Sequence, residues 1–597
     1  MDDQNKNLIL AVALSMLVIL GWSVFFPPPE TTPEELAIGA PATATATATD
    51  GLASVPTAAS ATQAPAAATA QAIVDAPRLK VESGALEGTI SLLGGRFDEL
   101  KLKNYRQTLE DSSDIVQLLK PTTSESAYYA LYGWAPGAGL SADLVPGPNT
   151  VWNVESGDTL TPQSPIVLQW ENGAGLLFRR EVSLDENYMF SIKQSVENNG
   201  GASVTLAPYG TIARHGEPAD LKNFFILHEG AIRHVAGELT ETDYGDFESA
   251  RNHEELAVGD KGWTGFTDHY WMTTLIVDQE GAEISTFKDT SRDIFQTTAK
   301  HKTETLAPGA RVEVSSRLFA GAKEWETIRN YQDDNGVPKF LDSIDWGWFF
   351  FITKPMFWLL HYLHAFIGNM GWAIIALTFI IKLVLFPLAY KSYASMAKMK
   401  ELQPQMEKIK EAAGEDRQKV QQEMMALYKK EKVNPAAGCL PILMQIPIFF
   451  SLYKVIFVTL ELRHAPWIGW IKDLSAPDTS SIFNLFGIFP WASPEPGSIM
   501  ALVFIGILPL LLGITMWLQQ KLNPAPSDPI QQQIFAWMPW VFMFMLGSFA
   551  SGLVIYWIAN NTITFTQQYL IMRSHGYNPD VFGNIRSGFK RASKDAE

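Results

Sequence analysis

Gly371–Tyr390 reads GWAIIALTFIIKLVLFPLAY. Twenty residues of helix rise about 30 Å, the thickness of a bilayer's hydrocarbon core. One charge, Lys382, lies inside the run, and the next, Lys391, is nine positions further on, about 13 Å along a helix. A cation at that depth costs about 3 kcal/mol or more unless it meets water or a partner. Two readings stay open: Lys382 faces a polar cavity, or its stem carries the charge out to the headgroups.

Further apolar runs lie on both sides of this one. Leu8–Phe26 holds no charge and ends in Phe-Phe-Pro-Pro-Pro after an acidic start, MDDQNKN. That is the pattern of an uncleaved anchor rather than of a signal peptide with a basic start and a small-residue cleavage site. Downstream, Gly438–Leu460, Ser498–Trp517, Ile530–Leu546 and Leu553–Ile571 complete an expected six spans. Lys454, near the far end of the third, is read as snorkelling. Trp346–Leu363 is apolar and aromatic but broken by Lys354-Pro355. The next span follows with no polar loop, so residues 344–365 read as a helix lying in the interface.

Between the anchor and this group the chain changes character. Residues 27–76 are rich in Ala, Thr and Pro and cannot bury a core, so they read as a disordered tether. Residues 77–343 read as β structure. Ile166, Leu168 and Trp170 alternate before Glu171-Asn172-Gly173. Tyr188, Phe190, Ile192 and Val196 share one face of a strand, and Asn198-Asn199-Gly200-Gly201 follows as a turn. The expected fold is therefore a polytopic α-helical membrane protein of six transmembrane helices carrying a large extracytoplasmic β-sandwich.

Charge sets the orientation. Of 597 residues, 47% are hydrophobic and the net charge is -17. Pro27–Asp345 holds 24 basic against 46 acidic residues, whereas the remainder holds 22 against 17. Residues 391–435 carry ten basic and seven acidic side chains, and the tail 573–597 carries five and three. Basic loops stay inside. The hairpin, the tail and the N-terminus are thus placed in the cytoplasm and the acidic β-domain outside, and every loop agrees with that parity. In the hairpin, Met396, Met399, Met406 and Met424 recur at helical spacing. They either pack its arms together or offer a soft surface to apolar segments.

The spans carry more polar groups than anchors need. Thr378 lies one turn before Lys382, Gln445 lies within the third span, and Tyr556, Asn560 and Thr564 form a stripe on the sixth. Convergent, they would line a wet groove holding one positive charge; otherwise they are ordinary interhelical hydrogen bonds. The single cysteine, Cys439, excludes an internal disulfide and a multi-cysteine metal site. No Walker loop and no serine–histidine arrangement within the spans is present, so no enzyme, no metal and no cofactor are expected.

These stretches resemble the YidC/Oxa/Alb family of membrane protein insertases. The resemblance rests on TFIIKLVLFPLAYKSYASMAKMKELQP, QQEMMALYKKEKVNPAAGCLPILMQIPIFFSLY, ELRHAPWIGWIKDLSAPD and SGLVIYWIANNTITFTQQYLI. They lie within 346–573 and run in the family order. The anchor and long β-domain are similar to the Gram-negative form of the family.

The resemblance implies insertion of newly made proteins into the bacterial inner membrane, alone or with the Sec translocon and its accessory subunits. It implies five core helices, residues 366–572, around a groove open to cytoplasm and lipid. Lys382 stands where the family usually has arginine, which keeps the charge but not the bidentate fork. Tyr556-Trp557 stands where a tyrosine pair is common. Ile446 and Phe449 would face the emerging segment, with Thr378, Gln445 and Asn560 in the groove. Nascent chain, ribosome or targeting factors would first meet the hairpin and tail, and lipids would surround the spans; no direct nucleic-acid contact is expected, since the tail's charge is small. Two rivals remain: a transporter or channel using Lys382 as a substrate counter-charge, and a polysaccharide-modifying enzyme using the β-domain.

Overall fold

The computed structural model describes residues 76–581, apart from 139, 222–226, 249–253, 415, 432, 434–439, 487, 490, 495–497, 499, 501–502, 524–528, 578 and 580. The expected anchor, nearly all of the tether and most of the tail lie outside the described residues. All described residues belong to one unit, 52–597.

The β reading of residues 77–343 gives two large sheets, one of eleven strands and one of nine. Alternation built them. Met189–Asn198 pairs antiparallel with both Leu176–Leu184 and Arg311–Ala322, and Phe190, Ile192 and Val196 are fully buried in the core between the sheets. Ile166 and Leu168 are buried on Ile166–Glu171, while Trp170 is half-buried at its end. The turn after it forms as its residues dictate. Gly173 takes a φ of 70°, and the Asn172 side-chain oxygen accepts from Ala174 N at 2.8 Å and Leu176 N at 3.0 Å.

Trp325–Asp333 (α1) leads from the last strand to Phe350–Ile367 (α2). The helix α2 ends where Gly368 enters the left-handed region at φ 75° and its N–H reaches His364 O at 2.7 Å. Asn369 then caps Met370–Val384 (α3), accepting from Trp372 N at 3.2 Å. Gly371 allows α3 to press against Trp467, whose ring would lie 2.3 Å from a Cβ at that position.

The span Gly371–Tyr390, in which Pro387 marks a place for a kink, is not one continuous helix. The chain bends by 68° between α3 and Phe386–Glu401 (α4). Pro387 sits in the first turn of α4; it has no N–H to give Leu383 O and its ring crowds that carbonyl. A second break, at Leu402 with Pro404 behind it, separates α4 from Gln403–Ala413 (α5). Gly414 at φ 56° turns the chain into Arg417–Lys430 (α6), capped by Asp416. Leu440–Val458 (α7), Pro529–Met545 (α9) and Ser551–Ser574 (α10) fall close to three expected spans. Ile507–Leu522 (α8) starts nine residues later than the expected Ser498.

Among the described residues no single helix is both long and apolar enough to cross a membrane; α3 and α4 taken together are, by length and composition. The kinks are the reason for α3 and α4, and the polar stripe is the reason for α10, whose 24 residues are long enough.

The β-domain is tied to the helices by buried polar contacts. Asp345 accepts from Lys454 Nζ at 2.5 Å, and also from His228 N at 3.0 Å and Gly347 N at 3.0 Å. His269 Nε2 lies 2.7 Å from Phe457 O on α7. Lys454 therefore does not snorkel, as the sequence suggested; it is 5% exposed and ion-paired.

Candidate functional site

Three helices meet at Lys382. It lies near the end of α3, half-buried, and its Nζ donates to Gln445 Oε1 on α7 at 3.1 Å. Gln445 Nε2 in turn donates to Tyr556 OH on α10 at 2.7 Å. The amide suits this place because it accepts on one side and donates on the other. Tyr556 is almost fully buried, so its ring packs in the core while its hydroxyl reaches the polar chain.

Two other residues named from sequence lie apart from this chain. Thr378 is buried and its hydroxyl donates to Ile374 O of its own helix at 2.7 Å, the back-bonding that satisfies a threonine within an apolar helix. Asn560 is buried one turn beyond Tyr556 and its Nδ2 lies 3.4 Å from Asn561 Oδ1. The periodicity put Thr378 and Lys382 on one face, but the bend after Val384 and the packing of α10 on α3 set which of them meets a partner.

An aromatic wall stands beside the polar chain. Phe449 on α7 stacks on Trp557 of α10, with centroids 4.6 Å apart and planes 22° apart, and Tyr453 continues the row. Ile446 is 45% exposed on the same helix. The site thus joins one cation, an amide and a phenol to an open apolar face. Among the described residues no cluster of His, Cys, Asp or Glu is placed to hold a metal.

The hairpin methionines divide. Met399 and Met406 pack against Leu402, Leu427 and Val433, between the two arms. Met396 is buried against Tyr393 and Ile571, on α10 rather than in the hairpin. Met424 is half-buried, whereas its neighbour Met425, not singled out from sequence, is 50% exposed. Sequence reading also missed His269 and Asp345 as the polar ties between β-domain and helices. The available signal was Lys454 itself, a charge inside an apolar run that needed an acidic partner.

Comparison with known proteins agrees with this architecture. Residues 362–578 match the model of the 60Kd inner membrane protein family, and residues 78–359 match the YidC periplasmic domain. The membrane protein insertase YidC of Ruegeria pomeroyi is 63% identical over 614 residues, covering 100% of this chain and 99% of its own. That of Jannaschia sp. is 59% identical over 626 residues, covering all of both chains. A crystal structure of an active YidC insertase with its first transmembrane domain resolved aligns with 83% of this chain and 94% of its own, at 16% identity and a TM-score of 0.34. At that level of identity over its whole length, the chain belongs to the YidC membrane protein insertase family.

Proposed function

We propose that this chain inserts newly made proteins into the bacterial inner membrane through the site at Lys382, with the β-domain in the periplasm and both termini in the cytoplasm. The single observation that carries the reading is the chain from Lys382 through Gln445 to Tyr556, on three helices and beside an exposed apolar face. The relatives' name, membrane protein insertase, supports the activity.

An incoming segment must carry its polar flank through a layer in which polar groups are costly. A polar site partway across shortens that layer. Lys382 attracts acidic residues of the flank, and Gln445 holds its ammonium in place. Ile446, Phe449 and Trp557 offer an apolar surface along which the segment leaves for lipid. Burial of the segment supplies the drive, at roughly 25 cal/mol per Å². Six spans in the order expected from sequence, with α3 and the first turn of α4 forming one bent crossing, put the basic hairpin inside. Thr378 and Asn560 flank the groove. Met424 and the exposed Met425 face nascent chain, ribosome or targeting factors at the hairpin, and the Sec translocon docks at the β-domain side.

The test is reconstitution of the purified full chain in liposomes with a small single-span substrate, insertion being scored by protease protection. Wild type inserts above empty liposomes. Lys382→Ala loses insertion of substrates with an acidic flank, and Lys382→Arg retains it. Equal insertion by wild type, Lys382→Ala and Lys382→Glu for every substrate would leave the charge without a role.

A further inference from the structure

The external loop between α7 and α8 presents a second apolar surface. From Thr479 to Pro494 the chain carries no charge, between Asp478 and Glu495. Phe483, Leu485, Phe486, Ile488, Phe489 and Trp491 all stand exposed there, Ile488 at 74%. A cluster of this size in water is uncommon on a folded protein. Leu485 and Phe486 both occupy the left-handed region, at φ 48° and 59°, a conformation that bulky residues adopt only under constraint.

The constraint is visible. Trp491 Nε1 donates to Phe483 O at 3.0 Å, and the Trp491 ring stacks on Phe489 at 4.5 Å with planes 9° apart. The indole N–H is satisfied within the loop, so its outer face needs no water. The base of the loop is bolted to the first turn of α8 and to Phe504 just before it. Asp478 Oδ2 accepts from Leu508 N at 2.8 Å, Ser480 Oγ accepts from Ile507 N at 2.8 Å, and Ser481 Oγ donates to Phe504 O at 2.7 Å. These bonds fix the height of the loop at the external end of an apolar helix whose own Leu511 and Ile514 are exposed. The loop and the exposed side chains of α8 thus offer two apolar surfaces, with Asp478 at their junction taken up by the N–H of Leu508.

We propose that this loop is a membrane-seated element: its aromatic tip inserts into the outer-leaflet interface of the bilayer, where uncharged aromatic side chains are favoured. The occupant is lipid, at the depth of the headgroup–acyl boundary. The proposal rests on the orientation given under the proposed function.

The experiment uses the full-length protein with Cys439→Ser, so that a single introduced cysteine carries an environment-sensitive fluorophore. Phe489→Cys reports the loop, Val541→Cys the exposed face of α9, and Lys193→Cys the β-domain. Each is reconstituted in phosphatidylcholine–phosphatidylglycerol vesicles with a spin-label quencher placed either near the headgroup or at the end of the acyl chain. The expected result is blue-shifted emission at position 489, quenched more by the shallow label than by the deep one, with position 193 unquenched. Water-like, unquenched emission at 489 beside quenching at 541 would overturn the proposal while leaving the membrane orientation standing. Unquenched emission at both positions would sink the orientation itself, and the proposal with it. Blue-shifted emission at 489 that ignores both labels and grows with protein density would assign the surface to a second copy of the chain, and would likewise overturn the proposal.

Discussion

Replacing Asp345 by alanine should loosen the β-domain from the helices. Its carboxylate accepts from Lys454 Nζ at 2.5 Å and from two backbone N–H groups at 3.0 Å. Lys454 is 5% exposed, so Asp345→Ala strips a buried ammonium of its nearest counter-charge. Breaking a buried pair from one side costs about 3–5 kcal/mol. Lys454→Met removes the buried charge together with its need for a partner. Asp345 then keeps its two backbone donors and some solvent, and the expected cost is about 1 kcal/mol. The double variant should be more stable than Asp345→Ala alone, with a coupling of about 2 kcal/mol. Thermal unfolding of the full chain in detergent gives the four stabilities, and protease release of the β-domain gives an independent readout. Additivity of the two substitutions to within about 0.5 kcal/mol would refute the reasoning.

Three more outcomes follow from other contacts. His301 is buried with its Nδ1 3.1 Å from Gln279 Oε1, and burial pushes its imidazole down from 6.5 to about 4. The unfolded chain therefore binds the extra proton first, so stability falls as pH drops from about 6.5 to about 4 and changes no further below that. By about 3 kcal/mol of linkage, the β-domain of wild type should lose more on acidification than that of His301→Gln, measured as unfolding midpoints at the two pH values. Gln445→Leu removes the bridge between Lys382 and Tyr556. At about 1 kcal/mol for the bond that holds the Lys382 ammonium, insertion of an acidic-flank substrate should fall roughly fivefold, with a neutral-flank substrate less affected; equal losses for both would separate Gln445 from the charge. Asp478→Ala deletes the acceptor for Leu508 N, a loss of about 1 kcal/mol at the N-terminus of α8, read as faster hydrogen exchange in that turn.

Much of the fold was legible because it depends on local pattern. Alternation placed Phe190, Ile192 and Val196 in the core, and Asn172-Gly173 formed the turn that its chemistry requires. Apolar run length located α7, α9 and α10 to within a few residues. Pro387 marked the place for a kink in the sequence, but not the 68° bend that the chain makes there. A proline forbids one hydrogen bond, but the direction and size of the resulting kink are set by what packs around it.

The sequence by itself determined the order of apolar and β segments, the separation of acidic from basic regions, and the presence of a lone cation deep in an apolar run. These are properties of composition and period, which need no knowledge of neighbours. Only the tertiary structure decided partners. It gave Lys382 to Gln445 and Gln445 to Tyr556, turned Thr378 back onto its own helix, and paired Lys454 with Asp345. The physical reason is that Gln445 stands 63 positions from Lys382 and 111 from Tyr556, and contacts across such distances depend on how whole helices dock, which periodicity along one helix does not encode.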